Sequence, residues 1–358
     1  MSRYAIIMAG GSGERFFPLS RRHRPKQLLP LLGEGKTLLE HAVERCCMVV
    51  PASNVMIITS THLQEPICEL LRTIIPPTNI IAEPAKRNTA GCLTLGAAVI
   101  GMRDPSATIA AVPADHYVGD NAAFGAALER AFAYAETHDA IVTFGIPPTR
   151  PETGYGYIEI GTAEADGFYR VASFREKPDR VAAEQYVAGG NFLWNSGMFI
   201  YRLDVFEQEL CIHAPSYGNA IAPLRNAFAR NDVEELSAVF GQLPNISIDY
   251  ALMERTSAIA VLKAEFPWDD LGSWDALRRL VTTDSEGNVC LGRTLLLDSR
   301  NATCANYATK PVLLCALGIE NIVAVVTDDV VLLCREDNVQ QVRRIVEYLA
   351  SHGMEQWL

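Results

Sequence analysis

The sequence predicts an α/β protein with a Rossmann-like sheet that is mixed but mostly parallel. Short apolar runs alternate with amphipathic helical stretches through residues 1–145, which is typical of strands joined by crossover helices. Glycines and charged residues directly follow several of these runs, at the sheet edge where α/β proteins bind ligands. After residue 284 the sequence changes to short β-branched runs with Asn and Asp turns, which predicts a small second domain.

The predicted strands of the first region are short and bounded by turn-forming residues. Those before residue 146 lie at positions 4–9, 55–59, 79–82, 108–112 and 140–144. Further strands are predicted at positions 154–161, 168–178 and 192–202. The pattern beyond them is mostly helical, with one apolar interruption at 258–266. Strands separated by helices of this length favour a sheet covered on both faces.

A polar, turn-prone junction at residues 284–288 separates the two predicted domains, which we place at 1–284 and 285–358. The second domain has the pattern of a small coil or open barrel of short strands. It ends in a predicted helix that Asp337 or Asn338 caps and Gly353 terminates.

Length and composition agree with two globular domains. At roughly 150 residues per domain, 358 residues favour two, and a hydrophobic content of 49% is ordinary for a sizeable core. The net charge of −11 argues against bulk binding of nucleic acid or an anionic membrane, although a local basic site still suits a small anion. No apolar run approaches the roughly 18 residues of a membrane span.

The nine cysteines suggest neither a disulfide framework nor a zinc site. Their number is odd, and no two are spaced C-x-x-C. Free thiols are typical of a reducing compartment, so we expect a cytoplasmic protein.

A glycine-rich loop with clustered cations follows the first strand. Gly10, Gly11 and Gly13 allow backbone N–H groups to approach a ligand closely. Residues 14–26 add five Arg and Lys side chains against the single acid Glu14. The combination predicts a polyphosphate cradle, although a glycine turn after a first strand can also be only a turn.

Two other phosphate-binding motifs fit this region poorly. Phe16 stands where the third glycine of a dinucleotide-binding fingerprint belongs, which disfavours a dinucleotide-dependent oxidoreductase. Gly35-Lys36-Thr37 resembles the end of a P-loop, but Pro30 occupies the position of its first glycine.

Two aspartates at predicted strand ends suit a divalent metal ion. Asp115 lies in PADH after the fourth strand, and Asp270 lies in WDDLGSW before a helix. Mg²⁺ usually takes one or two carboxylates together with phosphate oxygens of the substrate. Asp115 also suits a turn cap, and Asp269 suits either the role of Asp270 or a cap. Sequence spacing does not show whether Asp115 and Asp270 meet.

A third set of residues suits a phosphorylated, hydroxyl-rich substrate. Lys177 precedes a proline in FREKPD and suits a phosphate, while its neighbour Glu176 suits hydroxyl groups. Asn195 in WNSGMF offers both a donor and an acceptor, and Gly154 lies in a second glycine-rich loop. In isolation, Glu176 and Lys177 also have the pattern of a surface ion pair.

The segment after the third strand suits either a base or a helix start. Arg87, Asn88 and Thr89 open a predicted helix there. Their side chains suit reading the edge of a base, and they equally suit capping the helix.

Taken in order, eight segments along nearly the whole chain resemble the sugar-1-phosphate nucleotidylyltransferases, and most closely the members that form GDP-mannose. The segments are GGSGERFFPLSRRHRPKQ, EPAKRNTA, PADH, PETGYGYIE, FREKP, WNSGMF, IDYALME and WDDLGSW. The chain departs from the common form of the family's loop at Glu14, Phe16 and Phe17, where Thr, Leu and Trp are usual. Because Glu14 adds a carboxylate beside the loop, we expect a backbone contact there rather than a side-chain role.

The resemblance implies Mg²⁺-dependent transfer of GMP from GTP to α-D-mannose 1-phosphate, giving GDP-mannose and pyrophosphate. The implied catalytic residues are Arg15, Lys26, Asp115 and Asp270, of which the two aspartates hold the metal. The implied nucleotide-binding residues are Gly10, Gly11, Gly13, Glu83, Arg87, Asn88 and Thr89. The implied substrate-binding residues are Gly154, Glu176, Lys177 and Asn195. The second domain resembles the short left-handed β-helix of monofunctional members.

Two other functions stay open at this point. A related enzyme would use another nucleoside triphosphate or another sugar 1-phosphate, and the base-facing and sugar-facing segments would decide between them. A non-catalytic regulatory subunit that binds a sugar nucleotide would be free to lose Lys26 or Asp115, and both are present. The β-rich tail and final helix suggest a homodimer interface. We expect no nucleic-acid partner and no membrane partner.

Overall fold

The structure is a computed structural model that describes residues 1–32 and 35–358. The described chain forms two compact units, each built from separate stretches of the sequence. Unit 1 comprises Met1–Gly10, Ala42–Ala114 and Val118–Trp268. Unit 2 comprises Gly11–His41, Asp115–Tyr117 and Asp269–Leu358. Unit 2 therefore holds most of the glycine-rich loop, both candidate metal ligands and the C-terminal region, while the sequence boundary at residue 284 stays a prediction.

Unit 1 contains a nine-stranded mixed sheet. The strands up to residue 269 are β1 (Arg3–Met8), β2 (Val55–Ser60), β3 (Ile80–Glu83), β4 (Thr108–Pro113), β5 (Tyr117–Val118), β6 (Ile141–Ile146), β7 (Tyr157–Ala163), β8 (Phe168–Arg175), β9 (Phe192–Arg202), β10 (Ile259–Lys263) and β11 (Trp268–Asp269). The order in the large sheet is β3-β2-β1-β4-β9-β6-β10-β8-β7, and β5 and β11 form a separate two-stranded sheet.

The pairing directions follow from the connections. Strands β1 to β4 are joined by helices and pair in parallel, whereas β9 runs antiparallel to both β4 and β6. The apolar runs of β1, β2 and β4 are almost wholly buried, as expected for a sheet covered on both faces. The predicted α/β class and mixed sheet are confirmed.

Helices connect several of the strands, and side chains cap several of these helices. They are α1 (Leu38–Cys47), α2 (Thr61–Leu71), α3 (Asn88–Arg103), α4 (Asn121–Thr137), α5 (Arg180–Gly189), α6 (Leu203–His213), α7 (Pro215–Ala229), α8 (Val233–Gly241), α9 (Leu277–Leu280) and α10 (Arg343–Ser351). Asp120, Asp179 and Asp232 cap α4, α5 and α8 by accepting hydrogen bonds from first-turn N–H groups.

The C-terminal part of unit 2 is a small coil of mostly parallel strands, in which the last strand runs antiparallel to its neighbour. Its strands are β12 (Val289–Leu291), β13 (Thr294–Leu297), β14 (Thr303–Asn306), β15 (Leu314–Leu317), β16 (Ile322–Val326) and β17 (Val331–Arg335). Thr303 pairs with Val323, and Thr294 pairs with Leu314, so these two parallel strand pairs have the same offset along the chain. This repeat confirms the predicted β-helix-like domain, while its left hand stays a prediction.

The final helix starts later than the sequence predicts. A 3-10 turn occupies Glu336–Gln341, and α10 begins at Arg343 rather than at a cap on Asp337 or Asn338. The reason is packing: Val339 and Val342 are buried in one apolar cluster with Phe16, which fixes the turn before the helix. Among the described residues, no helix is both long enough and apolar enough to span a membrane.

Candidate active site

The glycine-rich loop in unit 2 leaves a run of backbone donors without protein partners. No described residue accepts a hydrogen bond from the N–H groups of residues 11–15. The loop is held from its carbonyl side instead, since Gln27 Nε2 donates to the Gly11 carbonyl at 3.0 Å and Ser20 Oγ donates to the Ser12 carbonyl at 3.1 Å. Such a run of N–H groups forms an anion-binding concavity.

Gly13 brings the loop against a catalytic candidate. Its φ of 60° is in the left-handed region, and a Cβ there would lie 2.3 Å from the Cβ of Lys26. Gly11 differs, because a Cβ on it would meet no atom within 4 Å. Gly13 is therefore required for close packing of the Lys26 stem, whereas Gly11 faces open space.

Lys26 forms hydrogen bonds with both residues that are candidate metal ligands. Its side chain is only 6% exposed, and its Nζ donates to Asp115 Oδ2 at 2.9 Å and to the backbone carbonyl of Asp270 at 2.5 Å. Burial would raise the pKa of Asp115, but attraction to Lys26 and His116 outweighs it and holds that pKa below its ordinary value. Asp115 is consequently a carboxylate at neutral pH.

One cavity of about 290 Å³ collects these groups. It is lined by the following residues, all from unit 2: Ser12, Gly13, Glu14, Arg15, Phe16, Lys26, Asp115, His116, Asp270, Leu271, Gly272 and Arg343. Arg15 is oriented by a hydrogen bond from its Nη1 to the Gly272 carbonyl at 3.2 Å. The structure therefore brings together Arg15, Lys26, Asp115 and Asp270, which the sequence could not show to meet.

The donor set of this cavity fits a hard divalent cation that is shared with a phosphate. No cluster of three or more His, Cys, Asp or Glu side chains capable of holding a metal occurs among the described residues. Two carboxylates, Asp115 and Asp270, do line the same cavity, beside unpaired loop N–H groups. Mg²⁺ is commonly held by one or two carboxylates with phosphate oxygens completing its shell, so this set suits a metal that arrives with its substrate.

A second polar cluster lies in unit 1 and contains the sugar-site candidates. Lys177 Nζ donates to Glu176 Oε1 at 2.6 Å, and Asn195 Nδ2 donates to Asp249 Oδ1 at 2.9 Å. The backbone N–H of Glu176 donates to Glu254 Oε1 at 3.0 Å. Lys177 itself has a left-handed φ of 47°, a conformation that non-glycine residues seldom adopt.

Glu176 has a buried carboxyl group with one oxygen available to a ligand. Its side chain is 7% exposed, and its Oε2 has no hydrogen-bond partner among the described residues. Burial raises the pKa values of Glu176 and Asp249, and the charge of Asp249 raises that of Glu176 further. A buried acceptor of this kind requires a donor such as a ligand hydroxyl.

Sequence reasoning missed three residues of this cluster. Asp249 and Glu254 lie within IDYALME, to which no chemical role was assigned from the sequence, although two acids in a family segment were an available signal. Gly156, rather than Gly154, lies beside Glu176, because a Cβ on it would be 2.4 Å from Glu176 Oε2. A Cβ on Gly154 would instead lie 3.3 Å from Glu152 Oε1.

The base-site candidates in unit 1 divide into two groups. Glu83, at the end of β3, has an Oε1 that is buried without a partner among the described residues, and burial raises its pKa to about 7. A Cβ on Gly10 would lie 3.2 Å from the other oxygen of Glu83, so Gly10 leaves the approach to this carboxyl open. The Glu83 carboxyl therefore has an acceptor oxygen without a partner among the described residues, and the absence of a side chain at Gly10 leaves it open to a ligand.

The remaining base-site candidates make contacts within the protein. Arg87 Nη2 donates to the Gly241 carbonyl, and Thr89 Oγ1 accepts from the N–H of Ile248 at 2.8 Å. Asn88 Oδ1 accepts from the N–H of Thr89, and no side chain caps α3. These contacts position the start of α3, and a role toward a base stays a prediction.

An α/β sheet, an amide-lined glycine loop and a lysine between two aspartates are the arrangement expected of a group-transfer enzyme that binds phosphate together with a divalent metal ion. The chain belongs to the nucleotidyl transferase family, whose pattern matches residues 4–287. Residues 292–349 match the mannose phosphate isomerase/GMP-like β-helix domain.

Three proteins that are similar to nearly the whole of this chain have names that refer to mannose 1-phosphate. A putative mannose-1-phosphate guanylyltransferase of Vibrio cholerae is 39% identical, over 97% of this chain and 74% of its own length. A mannose-1-phosphate guanylyltransferase of Escherichia coli is 38% identical, over 98% of this chain and 74% of its own length. A crystal structure described as a mannose-1-phosphate geranyltransferase from Thermus thermophilus superposes with a TM-score of 0.88, at 37% identity over 98% of this chain and all of that chain.

Proposed function

We propose that this protein is a mannose-1-phosphate guanylyltransferase that transfers GMP from GTP to α-D-mannose 1-phosphate and releases pyrophosphate. The relatives named for this activity cover nearly the whole chain. The observation that carries the chemistry is the single cavity lined by the glycine loop, Lys26, Asp115 and Asp270. We assign the reaction to the cytoplasm and expect a homodimer.

The reaction needs no protein nucleophile. A phosphate oxygen of mannose 1-phosphate attacks the α-phosphorus of GTP in line, and the bond from that phosphorus to the bridging oxygen of the β-phosphate breaks. Pyrophosphate leaves with the electron pair. Catalysis of this type consists of positioning and of neutralising phosphate charge.

The residues of unit 2 supply most of that neutralisation. The N–H groups of residues 11–15 bind phosphate oxygens, Arg15 stabilises the leaving pyrophosphate, and Lys26 binds the α-phosphate. Asp115 and Asp270 would hold Mg²⁺, which when bound would offset charge on the phosphates. Lys26 must then exchange its contact with Asp115 for one with phosphate, and the ionised state of Asp115 favours binding of the cation.

The residues of unit 1 supply specificity for the sugar and the base. Lys177 binds the sugar phosphate, and Glu176 Oε2 accepts a hydrogen bond from a sugar hydroxyl. Asn195 is fixed for the same substrate, since Asp249 accepts from its Nδ2 and the Gly197 N–H donates to its Oδ1. Glu83 accepts from the N–H donors of guanine, a pattern that pyrimidine bases do not present.

A substrate panel tests this function. With Mg²⁺ present, GTP and mannose 1-phosphate should release pyrophosphate faster than any pairing of ATP, CTP, UTP or dTTP with glucose 1-phosphate or a heptose 1-phosphate. A preference for UTP or dTTP without GTP turnover would contradict the assignment of base and sugar. Binding of GDP-mannose without Mg²⁺-dependent release of pyrophosphate would instead favour a regulatory subunit.

Gly156→Ala should weaken binding of mannose 1-phosphate and spare binding of GTP. The new Cβ would lie 2.4 Å from Glu176 Oε2 and would displace the carboxylate that accepts the sugar hydroxyl. Loss of one such hydrogen bond to a charged group corresponds to an increase in KM for mannose 1-phosphate of about tenfold or more. Steady-state kinetics with each substrate varied in turn will measure it. Gly154→Ala, whose Cβ would meet only Glu152, is the comparison, and an equal effect of both substitutions would contradict the placement at Gly156.

A further inference from the structure

The C-terminal helix places a cation in the phosphate cavity that the sequence did not single out. Arg343, the first residue of α10, lines the same cavity as Lys26, Asp115 and Asp270. It lies more than 300 positions along the chain from the glycine loop, in the region matched by the β-helix domain. The β-helix region therefore contributes a residue to the wall of the cavity, in addition to forming a separate group of strands.

The start of α10 is packed against the loop. The helix packs on the turn Glu14–Phe16, and the residues just before it are buried in the cluster that contains Phe16. Val339 and Val342 are 3% and 2% exposed, and Phe16 is fully buried. Because these apolar contacts fix the backbone at the start of α10, they position Arg343 at the wall of the cavity.

Arg343 also keeps its guanidinium available. Within the described chain this guanidinium makes no hydrogen bond or ion pair, whereas that of the adjacent Arg344 donates to Gln341 Oε1 at 3.0 Å. Lys26 is already paired with Asp115, and Arg15 donates to the Gly272 carbonyl. Arg343 is thus an uncommitted cation on the cavity wall.

The charge balance of the cavity shows why this cation matters. The lining contains three cations, Arg15, Lys26 and Arg343, against three acids, Glu14, Asp115 and Asp270. Without Arg343 the acids would outnumber the cations in a site that must take a polyanion. Glu14 increases the need, since it places a carboxylate within the loop itself.

We propose that Arg343 binds the β- and γ-phosphates of the nucleoside triphosphate and the pyrophosphate formed from them. This inference rests on the proposed function for the identity of the substrate. Arg343 is exposed whereas Lys26 is buried, which places Arg343 at the open side of the cavity, where a leaving group departs to solvent. A planar guanidinium matches two phosphate oxygens at once, so the contact is strong as well as charged.

The test compares Arg343→Gln with Arg344→Gln, which removes a neighbouring exposed arginine from the same helix. Isothermal titration with Mg²⁺-pyrophosphate and steady-state kinetics are run on both variants and on the unchanged protein. Arg343→Gln should weaken pyrophosphate binding and raise KM for GTP by about 10- to 100-fold, the range for a lost charge-assisted hydrogen bond. KM for mannose 1-phosphate should change less than about twofold, and Arg344→Gln should match the unchanged protein.

The possible outcomes distinguish failure of the role proposed for Arg343 from failure of the proposed function. Arg343→Lys should recover part of the pyrophosphate affinity, since it restores charge without the second hydrogen bond. Equal behaviour of Arg343→Gln and Arg344→Gln would overturn the role of Arg343, even if GTP is turned over as proposed. If the unchanged protein binds Mg²⁺-pyrophosphate but does not use GTP, the assignment of the nucleotide fails, and the titration still decides the role of Arg343.

Discussion

Lys26→Gln should lower kcat by about 10²- to 10³-fold, as expected for loss of one group that stabilises the transition state. Lys26 is buried, is packed against Gly13, and contacts both Asp115 and the carbonyl of Asp270. Glutamine retains a donor for these contacts but supplies no positive charge to the α-phosphate. The loss should therefore appear mainly in kcat, with a smaller change in KM for mannose 1-phosphate.

The control for Lys26→Gln is Lys263→Gln, which removes an exposed lysine at the end of β10. Circular dichroism and thermal unfolding establish that both variants are folded, because removing the partner of Asp115 also costs stability. Pyrophosphate release under saturating GTP and Mg²⁺ gives kcat. A folded Lys26→Gln protein within about threefold of the unchanged enzyme would remove Lys26 from the catalytic set, since the expected loss is far larger.

Glu83→Gln should stabilise the protein at high pH while weakening its binding of GTP. The pKa of Glu83 is raised from 4.5 to about 7 by burial. The folded state therefore retains a proton that the unfolded chain releases between these values. The contribution of this group to the free energy of unfolding is complete below about pH 4.5 and is lost as the pH rises through about 7.

The size of the Glu83 effect follows from the shift in pKa. A shift of this size corresponds to about 3 kcal/mol, since each pKa unit is worth about 1.4 kcal/mol. Glutamine removes the cost of ionising a buried carboxyl, so Glu83→Gln should raise the free energy of unfolding at about pH 8 by up to about 3 kcal/mol and leave it unchanged near pH 4. Urea unfolding across this pH range measures the difference. Glu65→Gln, at an exposed position on α2, is the comparison, and a pH-independent difference for Glu83→Gln would contradict the argument.

The same carboxyl predicts how GTP binding depends on pH. Only ionised Glu83 offers two acceptor oxygens to the N–H donors of guanine, so KM for GTP should fall as the pH rises through about 7. Glu83→Gln should raise KM for GTP and abolish this dependence. Replacement of Glu83 should therefore stabilise the protein and impair binding of GTP. This trade-off between stability and binding is expected at a functional site.

Much of the fold was predictable because local rules set it. The apolar runs of β1, β2 and β4 bury both faces of parallel strands, and the chain between them has the length and pattern of crossover helices. A second domain of short strands was predictable from its short β-branched runs, and its β-helix-like form was predictable from the family resemblance. The start of α10 was not, because burial of Val339 and Val342 overrode the capping residues that precede them.

By itself, the sequence determined which chemical groups this protein carries and which of them follow strand ends: the glycine loop, Lys26, the aspartates and Glu83. Only the tertiary structure decided which of them share a site. It placed Lys26 between Asp115 and Asp270, put Gly156 rather than Gly154 against Glu176, and brought Arg343 to the phosphate cavity. The physical reason is that these contacts join residues far apart in the chain, so they depend on packing between elements, which no local pattern encodes.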